Sequence, residues 1–253
     1  MSWRCPVPRL SVLKGSAVVG RQLVRAVVVV ALGGWGALLG AAVPIAAAEP
    51  STPCPDIEVI FARGTGEAPG VGGVGQAFVD AVRAQAGGRS VAVHPVDYAA
   101  SGNFSDRMEI ARTVAGGVDD EGSRIEFMAA NCPDTNLVLG GYSQGAVVTG
   151  FVTSDVVPAG VPADLVPEPL PADVADNVAA VVLFGKPSGE FLQRYSAPSA
   201  AIGPRYADKT LELCAPGDTI CEGVFGGGPT LAHGLYPVNG MVGQGAAYAI
   251  SRS

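Results

Sequence analysis

Residues 136–145, Asn136-Leu-Val-Leu-Gly-Gly-Tyr-Ser-Gln-Gly145, predict a strand that turns sharply into a helix at Ser143. The glycines two positions before and after this serine leave room where a Cβ atom would clash with neighbouring backbone. Such a turn pushes the serine hydroxyl out over the sheet. It also aims the backbone N–H of Gln144, at the helix start, towards an oxyanion that develops on a bound substrate. The stretch therefore predicts Ser143 as a nucleophile.

Strand and helix patterns alternate outward from this turn. The run Val-Ala-Ala-Val-Val-Leu-Phe at residues 178–184 is apolar throughout, which is typical of a strand in a parallel sheet covered on both faces. We therefore expect an α/β fold with five strands. The predicted strands are residues 57–62, 90–96, 136–140, 177–184 and 209–213, and the predicted helices are residues 71–86, 105–131, 144–153 and 240–252.

The first 48 residues differ from the rest of the chain. Five cations precede the first acid, residues 26–43 are apolar, and Ala46-Ala47-Ala48 follows. This order is typical of a secretory signal peptide that is removed on export. A retained membrane anchor is the alternative, although glycines and Pro44 weaken an apolar run of about 18 residues that is borderline for a bilayer. We expect residues 1–48 to be the signal peptide and residues 49–253 to be a single domain.

The net charge of the chain after the leader argues against one class of partner, nucleic acids. Once the five leader cations are removed from the total of 16, 11 cations face 23 acids, a net charge of −12. Nucleic-acid binding needs clustered cations that neutralise phosphates. We therefore expect no nucleic-acid partner.

Four cysteines follow the leader, namely Cys54, Cys132, Cys214 and Cys221. An even number in an exported chain predicts two disulfides, for which sequence alone allows three pairings. Cys214 and Cys221 are close enough for a small local loop, which leaves Cys54 for Cys132. Because the chain has no Cys-x-x-Cys and only two histidines, we expect no zinc site.

A nucleophilic serine needs a base, and imidazole is the usual one. The two candidates are His94 and His233. In α/β-hydrolases the chain order is serine, acid, histidine. His233 follows that order in a small-residue loop near the C-terminus, whereas His94 precedes Ser143 at the end of a predicted strand. We predict His233 as the base and a structural role for His94.

The acid that orients the base should lie between the last strand and His233. Asp218 is the preferred candidate because it lies in Cys214-Ala-Pro-Gly-Asp-Thr-Ile-Cys221, where a disulfide across the loop would hold a carboxylate in place. Glu222 is the alternative. It could equally be a solvated surface acid.

A second oxyanion donor is expected in the loop after the first strand, Ala62-Arg63-Gly64-Thr65-Gly66-Glu67. The backbone N–H and the hydroxyl of Thr65 can both donate to an oxyanion. A helix cap or a plain turn is the alternative role for Thr65. Arg63 and Glu67 are expected to pair and brace the loop.

Residues 156–171 carry five prolines with Val161, Leu165, Val166 and Leu170 between them. Prolines at this density exclude a regular helix. The segment is either a plain connector or an apolar rim beside a substrate cleft.

Taken together, these motifs resemble the cutinase family, and more closely its actinobacterial cutinase-like esterase branch. The resemblance covers about residues 54 to 250. The pair Gly217-Asp218 framed by two cysteines is its most specific feature. The other matching stretches are Ala62-Arg63-Gly64-Thr65-x-Glu67, Gly141-Tyr-Ser-Gln-Gly145, Leu183-Phe-Gly-x-Pro-Ser188, and Ala232-His233 followed by Tyr236.

The resemblance implies a small α/β-hydrolase with a five-stranded parallel sheet, no large lid and two disulfides. It implies a triad of Ser143, Asp218 and His233. It also implies an oxyanion hole formed by Thr65 and Gln144, and the pairs Cys54–Cys132 and Cys214–Cys221. Thr65 departs from fungal cutinases, which usually carry serine there. The proline-rich residues 156–171 are a second departure.

The expected activity is hydrolysis of short- to medium-chain acyl esters through an acyl-enzyme, without cofactor or metal. The enzymatic alternatives are lipase, phospholipase A or thioesterase activity, or acyl transfer to an alcohol. A silent lipid-binding wall protein on the same fold is the non-enzymatic alternative. We expect a secreted or envelope-associated monomer whose partners are small-molecule or lipid esters and cell-envelope lipids.

Overall fold

A computed structural model of the protein describes residues 53–157, 161, 163–224 and 227–253. The predicted signal peptide, residues 1–48, lies outside these ranges, so the sequence prediction for it stands untested. Within them, no helix combines the length and hydropathy needed to cross a membrane.

The described part of the chain has five strands, namely β1 (Ile57–Ala62), β2 (Val91–Pro95), β3 (Asn136–Tyr142), β4 (Val178–Phe184) and β5 (Thr210–Leu213). They form one parallel sheet in the order β2-β1-β3-β4-β5. The chain moves outward from β1 to β2, then returns to the other side of β1 with β3. Ligands of open α/β sheets bind at such a change of direction, beyond the carboxyl ends of the strands.

Helices cover both faces of the sheet. The first and last long helices pack on one face around Phe61, Phe78 and Phe184. The second and third pack on the other, around residues such as Ile125 and Leu139. They are α1 (Gly72–Gln85), α2 (Arg107–Asn131), α3 (Gln144–Val152), α4 (Gly189–Arg194), α5 (Leu231–Gly234) and α6 (Met241–Ile250), with short 3-10 helices at Ala163–Leu165, Ala172–Asn177 and Ala207–Lys209.

The predicted fold class is confirmed, including the number of strands and their parallel arrangement. Helix α2 starts two residues later than the sequence pattern suggested, because the Asp106 carboxylate caps it by accepting the backbone N–H groups of Met108 and Glu109. Its glycines do not interrupt it. A Cβ at Gly117 would lie 3.0 Å from the methyl groups of Val148, so this glycine lets α2 and α3 approach closely.

Both predicted disulfides are present. Cys54 is bonded to Cys132 with Cα atoms 5.5 Å apart, and Cys214 to Cys221 with Cα atoms 5.8 Å apart. The first bridge joins the segment before β1 to the end of α2. The second closes the loop that leaves β5.

Glu121 in α2 is a buried carboxyl group with no cation beside it among the described residues. Its Oε2 accepts a hydrogen bond from Thr149 Oγ1 at 3.0 Å, and its Oε1 has no hydrogen-bond partner within the described ranges. Burial raises the pKa of Glu121 well above its usual range. The folded protein therefore keeps a proton here that the unfolded chain releases.

Glu121→Gln is expected to remove a pH-dependent loss of stability. Above the usual glutamate value of 4.5, and up to the raised native pKa, the unfolded state binds fewer protons than the native state. The free energy of unfolding then falls as pH rises, by at most about 1.4 kcal/mol per pH unit. The variant should therefore melt higher than wild type at pH 8 and gain little at pH 4.5. Thermal melts across this range measure the difference.

Glu58→Gln is the matched control, because Glu58 is equally buried but ion-paired with Arg124 at 2.5 Å. Removing one partner of a buried pair should lower the melting temperature at pH 8. A gain for Glu121→Gln that is the same at every pH would contradict the account.

Candidate active site

Ser143 lies at the sharp turn between β3 and α3. Its backbone adopts φ +53°, and its N–H donates to the carbonyl of Phe184 at 2.9 Å. A Cβ at Gly141 would overlap the backbone of Gly145, and one at Gly145 would overlap the carbonyl of Ala62. Both flanking glycines are therefore required by close backbone approach, as the sequence pattern indicated.

Ser143, His233 and Asp218 form one hydrogen-bonded chain. His233 Nε2 lies 3.0 Å from Ser143 Oγ, and His233 Nδ1 lies 2.8 Å from Asp218 Oδ2. The histidine comes from α5 and the aspartate from the loop after β5. Asp218 is fully buried and His233 is 7% exposed. This geometry allows a proton to pass from the serine to the imidazole while the carboxylate stabilises the charged ring.

The two alternatives left open by the sequence lie away from this chain. His94 lies on the edge strand β2, and its Nε2 is 3.1 Å from Asp120 Oδ2. Glu222 is exposed, and its Oε1 accepts the backbone N–H of Gly217 at 2.9 Å. His94 therefore contacts α2, and Glu222 stabilises the backbone of the Asp218 loop from outside.

Tyr236 is a site residue to which the sequence analysis gave no role. Its hydroxyl donates to Asp218 Oδ2 at 2.7 Å and accepts the backbone N–H of Ala215 at 3.0 Å. The N–H of Ile220 donates to the other oxygen, Oδ1, at 3.1 Å. Burial raises the pKa of Tyr236, so the phenol stays a neutral donor. These donors hold the Asp218 carboxylate in the plane that His233 needs.

Tyr142 and Gly185 complete the support of the imidazole. The Tyr142 hydroxyl donates to the backbone carbonyl of His233 at 2.7 Å, and its ring centre lies 5.1 Å from the imidazole centre. Burial raises the pKa of Tyr142 to about 12. Gly185 follows β4 at φ +55°, and a Cβ there would lie 3.1 Å from Asp218 Oδ2 and from the imidazole. The Leu183-Phe-Gly motif therefore reflects a position with no room for a side chain.

The loop after β1 is braced from both sides. The buried Arg63 donates from Nε to the backbone carbonyl of Glu67 at 2.9 Å and from Nη2 to that of Tyr98 at 2.5 Å. The Glu67 carboxylate accepts the N–H groups of Gly64, at 2.6 Å, and Gly73, at 2.7 Å. Arg63 therefore binds the backbone of Glu67 rather than its carboxylate, because two amides already occupy that group.

A third segment, residues 100–103, contacts both the Thr65 loop and Gln144. The carbonyl of Ala100 accepts the N–H of Gly66 at 2.7 Å, and the carbonyl of Ser101 accepts Gln144 Nε2 at 3.0 Å. Ser101 in turn donates to Glu109 of α2. Thr65 borders the same cleft as Ser143, and its hydroxyl makes no hydrogen bond with any described residue. That hydroxyl is available to a substrate.

A cleft of about 1010 Å³ opens beside Ser143 and His233. Its walls come from α2, α3, the start of the segment after α4, and the proline-rich segment. Val156, Val157, Val161, Leu165 and Leu170 line it. The described part of residues 156–171 therefore forms an apolar wall of the cleft and is more than a connector.

Tyr236→Phe is expected to lower kcat by about 3- to 30-fold without unfolding the protein, since it removes one hydrogen bond to a charged group. The carboxylate then becomes a stronger acceptor for His233, so the acidic limb of the pH–rate profile should move to higher pH. Steady-state kinetics across pH 4–9 measure both effects. Tyr142→Phe, which loses a bond to a carbonyl, should leave the limb in place. An unmoved limb in Tyr236→Phe would assign the tyrosine a packing role only.

Several known proteins are similar to this chain in sequence. The profile of the family described as Cutinase matches residues 53–253. The probable carboxylesterase Culp7 of Mycobacterium tuberculosis is 54% identical over 66% of this chain and 88% of that protein. The carboxylesterase Culp1 of Mycobacterium bovis is 44% identical over 79% of this chain and 82% of that protein. The phospholipase Culp4 of Mycobacterium tuberculosis is 43% identical over 83% of this chain and 84% of that protein.

Among solved structures, a Trichoderma reesei cutinase in complex with a phosphonate inhibitor superposes with a TM-score of 0.58 and 32% identity. The superposition covers 79% of this chain and 77% of that one. An acetylxylan esterase superposes with a TM-score of 0.63 at 24% identity, over 79% of this chain and 99% of that one. This second likeness concerns the fold alone.

Proposed function

Because this chain belongs to the cutinase family, we propose that it is an exported carboxylesterase whose nucleophile, base and acid are Ser143, His233 and Asp218. The observation that carries the proposal is the unbroken hydrogen-bonded chain from Ser143 Oγ through the imidazole to Asp218 Oδ2, with distances of 3.0 and 2.8 Å. The serine borders an apolar cleft large enough for an ester.

The proposed reaction has two halves. Ser143 Oγ attacks the ester carbonyl while His233 Nε2 takes the hydroxyl proton, and the imidazolium then returns that proton to the leaving alcohol. Water attacks the resulting acyl-enzyme in the same way, with His233 again as base. The acid product leaves and Ser143 regains its proton. Asp218 stabilises the imidazolium in both halves and does not itself take the proton.

The oxyanion is proposed to bind the backbone N–H of Gln144 and the backbone N–H and hydroxyl of Thr65. Gln144 begins α3, where the first N–H groups have no partner inside the helix. Its side chain is held by Ser101 at 3.0 Å. The neighbouring positions of Ala62 and Gly141 in the sheet register place the Thr65 loop beside the serine turn.

Thr65→Val is expected to lower kcat by about 10- to 1000-fold with little change in KM, because it removes a donor that acts mainly in the transition state. Thr65→Ser keeps the hydroxyl and should retain most of the activity. Initial rates with p-nitrophenyl butyrate give both constants. A rise in KM alone would instead place Thr65 in ground-state binding.

The simplest test of the proposed function is hydrolysis of p-nitrophenyl butyrate by the full chain. Release of p-nitrophenol that is abolished by a serine-directed phosphonate supports the proposal. Absence of turnover together with absence of phosphonate labelling would support the silent lipid-binding alternative. Adding a primary alcohol would reveal acyl transfer as a second ester product.

Export is proposed from the basic, apolar and small-residue order of residues 1–48. Production in an exporting host should release a chain that begins near residue 49, which N-terminal sequencing would establish. A chain that stays in the membrane fraction with Met1 intact would instead indicate an anchor.

Phospholipid hydrolysis is a second candidate, favoured by the relative named as a phospholipase at 43% identity. Release of fatty acid from a dispersed phosphatidylcholine, compared with p-nitrophenyl butyrate, separates the two substrates. The same serine would serve both, since both reactions cleave a carboxylic ester.

A further inference from the structure

The cleft beside Ser143 is much larger than a short acyl group requires. A methylene group is about as large as a water molecule, which takes about 30 Å³ in the liquid. A four-carbon acyl chain would therefore fill only a small part of the 1010 Å³. The remaining space can hold a larger ligand, and the chemistry of the walls indicates which kind.

One wall of the cleft is a single face of α2. Ile110, Ala111, Val114, Ala115 and Val118 recur at the spacing of one helical face and line the cleft. The cationic and anionic lining residues Arg107, Asp155 and Glu168 are exposed. The interior of the cleft therefore offers an apolar surface rather than sites for charged groups.

The opposite wall is the described part of the proline-rich segment. Val156 is 62% exposed and Val157 45% exposed, although both border the cleft. At the far end, the wall closes on α2, because a Cβ at Gly122 would lie 3.5 Å from Leu170 Cδ2. An apolar chain lying between the walls would cover side chains that otherwise face water.

The cleft runs away from the serine along α2. The first turns of α2 lie at the serine end, since Glu109 and Thr113 bind Ser101, which holds Gln144. Met108 to Gly122 spans about 21 Å at 1.5 Å per residue. An extended acyl chain advances about 1.3 Å per bond, because its 1.5 Å C–C bonds zigzag. The wall therefore matches about 16 carbons.

Resting on the proposed esterase function, we infer that this cleft binds the acyl chain of the substrate ester, and that the preferred chain has about 14 to 16 carbons. The carbonyl lies at Ser143, and the methyl end lies just before the point where Leu170 approaches Gly122. This chain is longer than the short to medium acyl groups expected from the sequence. Ala111 and Ala115, one helical turn apart, line the cleft at two different distances from Ser143 along the proposed acyl chain.

The test is a series of p-nitrophenyl esters with 4, 8 and 16 acyl carbons on the wild-type protein and two blocked variants. Wild type should show a higher kcat/KM for the 16-carbon ester than for the 4-carbon ester. Ala115→Phe should lose at least 10-fold on the 16-carbon ester and keep the 4- and 8-carbon rates within about twofold. Ala111→Phe, nearer the serine, should lose the 8-carbon ester as well.

Ala84→Phe is the matched control, because Ala84 is exposed on α1. It should leave all three esters unchanged. Dividing each variant's kcat/KM by that of wild type at the same chain length cancels differences in ester solubility. Ala115→Leu provides a smaller block should the phenylalanine disturb folding, and the 4-carbon rate reports that directly.

The ester series distinguishes an error in the acyl-chain assignment from an error in the proposed esterase function. No hydrolysis of the 4-carbon ester by wild type would overturn the esterase proposal itself. Hydrolysis of the 4-carbon ester without gain at 16 carbons, or equal losses at every length in both blocked variants, would overturn the acyl-chain assignment alone.

Discussion

Ser143→Ala is expected to lower kcat on p-nitrophenyl butyrate by about 10⁴-fold or more while leaving the melting temperature almost unchanged. Without the hydroxyl no acyl-enzyme can form, and the remaining rate comes only from substrate binding and the oxyanion donors. Alanine is smaller and removes one hydrogen bond to His233 Nε2. The measurement is a paired kcat determination and thermal melt.

Ser123→Ala is the matched control, since Ser123 is exposed on α2. It should keep full activity. If the Ser143 variant retained more than a tenth of wild-type turnover, the assignment of the nucleophile would be wrong.

Asp218→Asn is expected to lower kcat by about 10⁴-fold in a folded protein. Asp218 Oδ2 accepts from both His233 and Tyr236. An amide NH₂ at that position would donate instead, so the imidazole would turn to the tautomer whose Nε2 already carries a proton. Such a histidine cannot take the proton of Ser143. Steady-state kinetics near neutral pH, with a circular dichroism spectrum for folding, measure the effect.

Glu222→Gln is the control for this prediction, because the sequence left Glu222 open as the acid. Its carboxylate binds the backbone N–H of Gly217 from an exposed position. The variant should lose less than threefold in kcat. A large loss of kcat in Glu222→Gln, together with an active Asp218→Asn, would identify Glu222 and not Asp218 as the acid that orients His233.

The serine turn and the fold around it could be predicted because their determinants are local. Strand and helix periodicity surround Ser143, and the need for Gly141 and Gly145 follows from backbone approach within a few residues. The base could be narrowed to His233 by chain order, although it lies 90 residues from the serine. Helix boundaries were less accurate, because a single cap such as Asp106 decides them.

The supporting residues could not be predicted, because their contacts join distant parts of the chain without a local pattern. Tyr236 donates to Asp218, which lies 18 positions earlier in the loop closed by the second disulfide. Ser101 accepts a hydrogen bond from Gln144, 43 positions later. Tyr236 belongs to a stretch that matches the family, but its position three residues after His233 does not indicate a bond to Asp218. The sequence analysis preferred Asp218 to Glu222, and in the structure Asp218 is buried whereas Glu222 is exposed.

The sequence left open whether the proline-rich segment is a connector or the rim of a cleft, and the structure shows such a cleft. Its volume depends on how far the proline-rich segment lies from α2, which is a tertiary distance that composition does not determine. Proline density predicted that residues 156–171 are not a regular helix, and among the described residues of this segment there is one short 3-10 helix, Ala163–Leu165. Val161, Leu165 and Leu170 line the cleft, whereas Val166 is not among its lining residues.

The central claim is that Ser143 is the activated nucleophile, and labelling with a p-nitrophenyl alkylphosphonate tests it most directly. The phosphonate traps an activated serine as a stable ester and releases one p-nitrophenol per site. We predict one equivalent released, one adduct by intact mass, and its location on Ser143 by peptide mapping, with no adduct in Ser143→Ala. An adduct on another residue, or turnover of esters by a protein that does not label, would contradict the account.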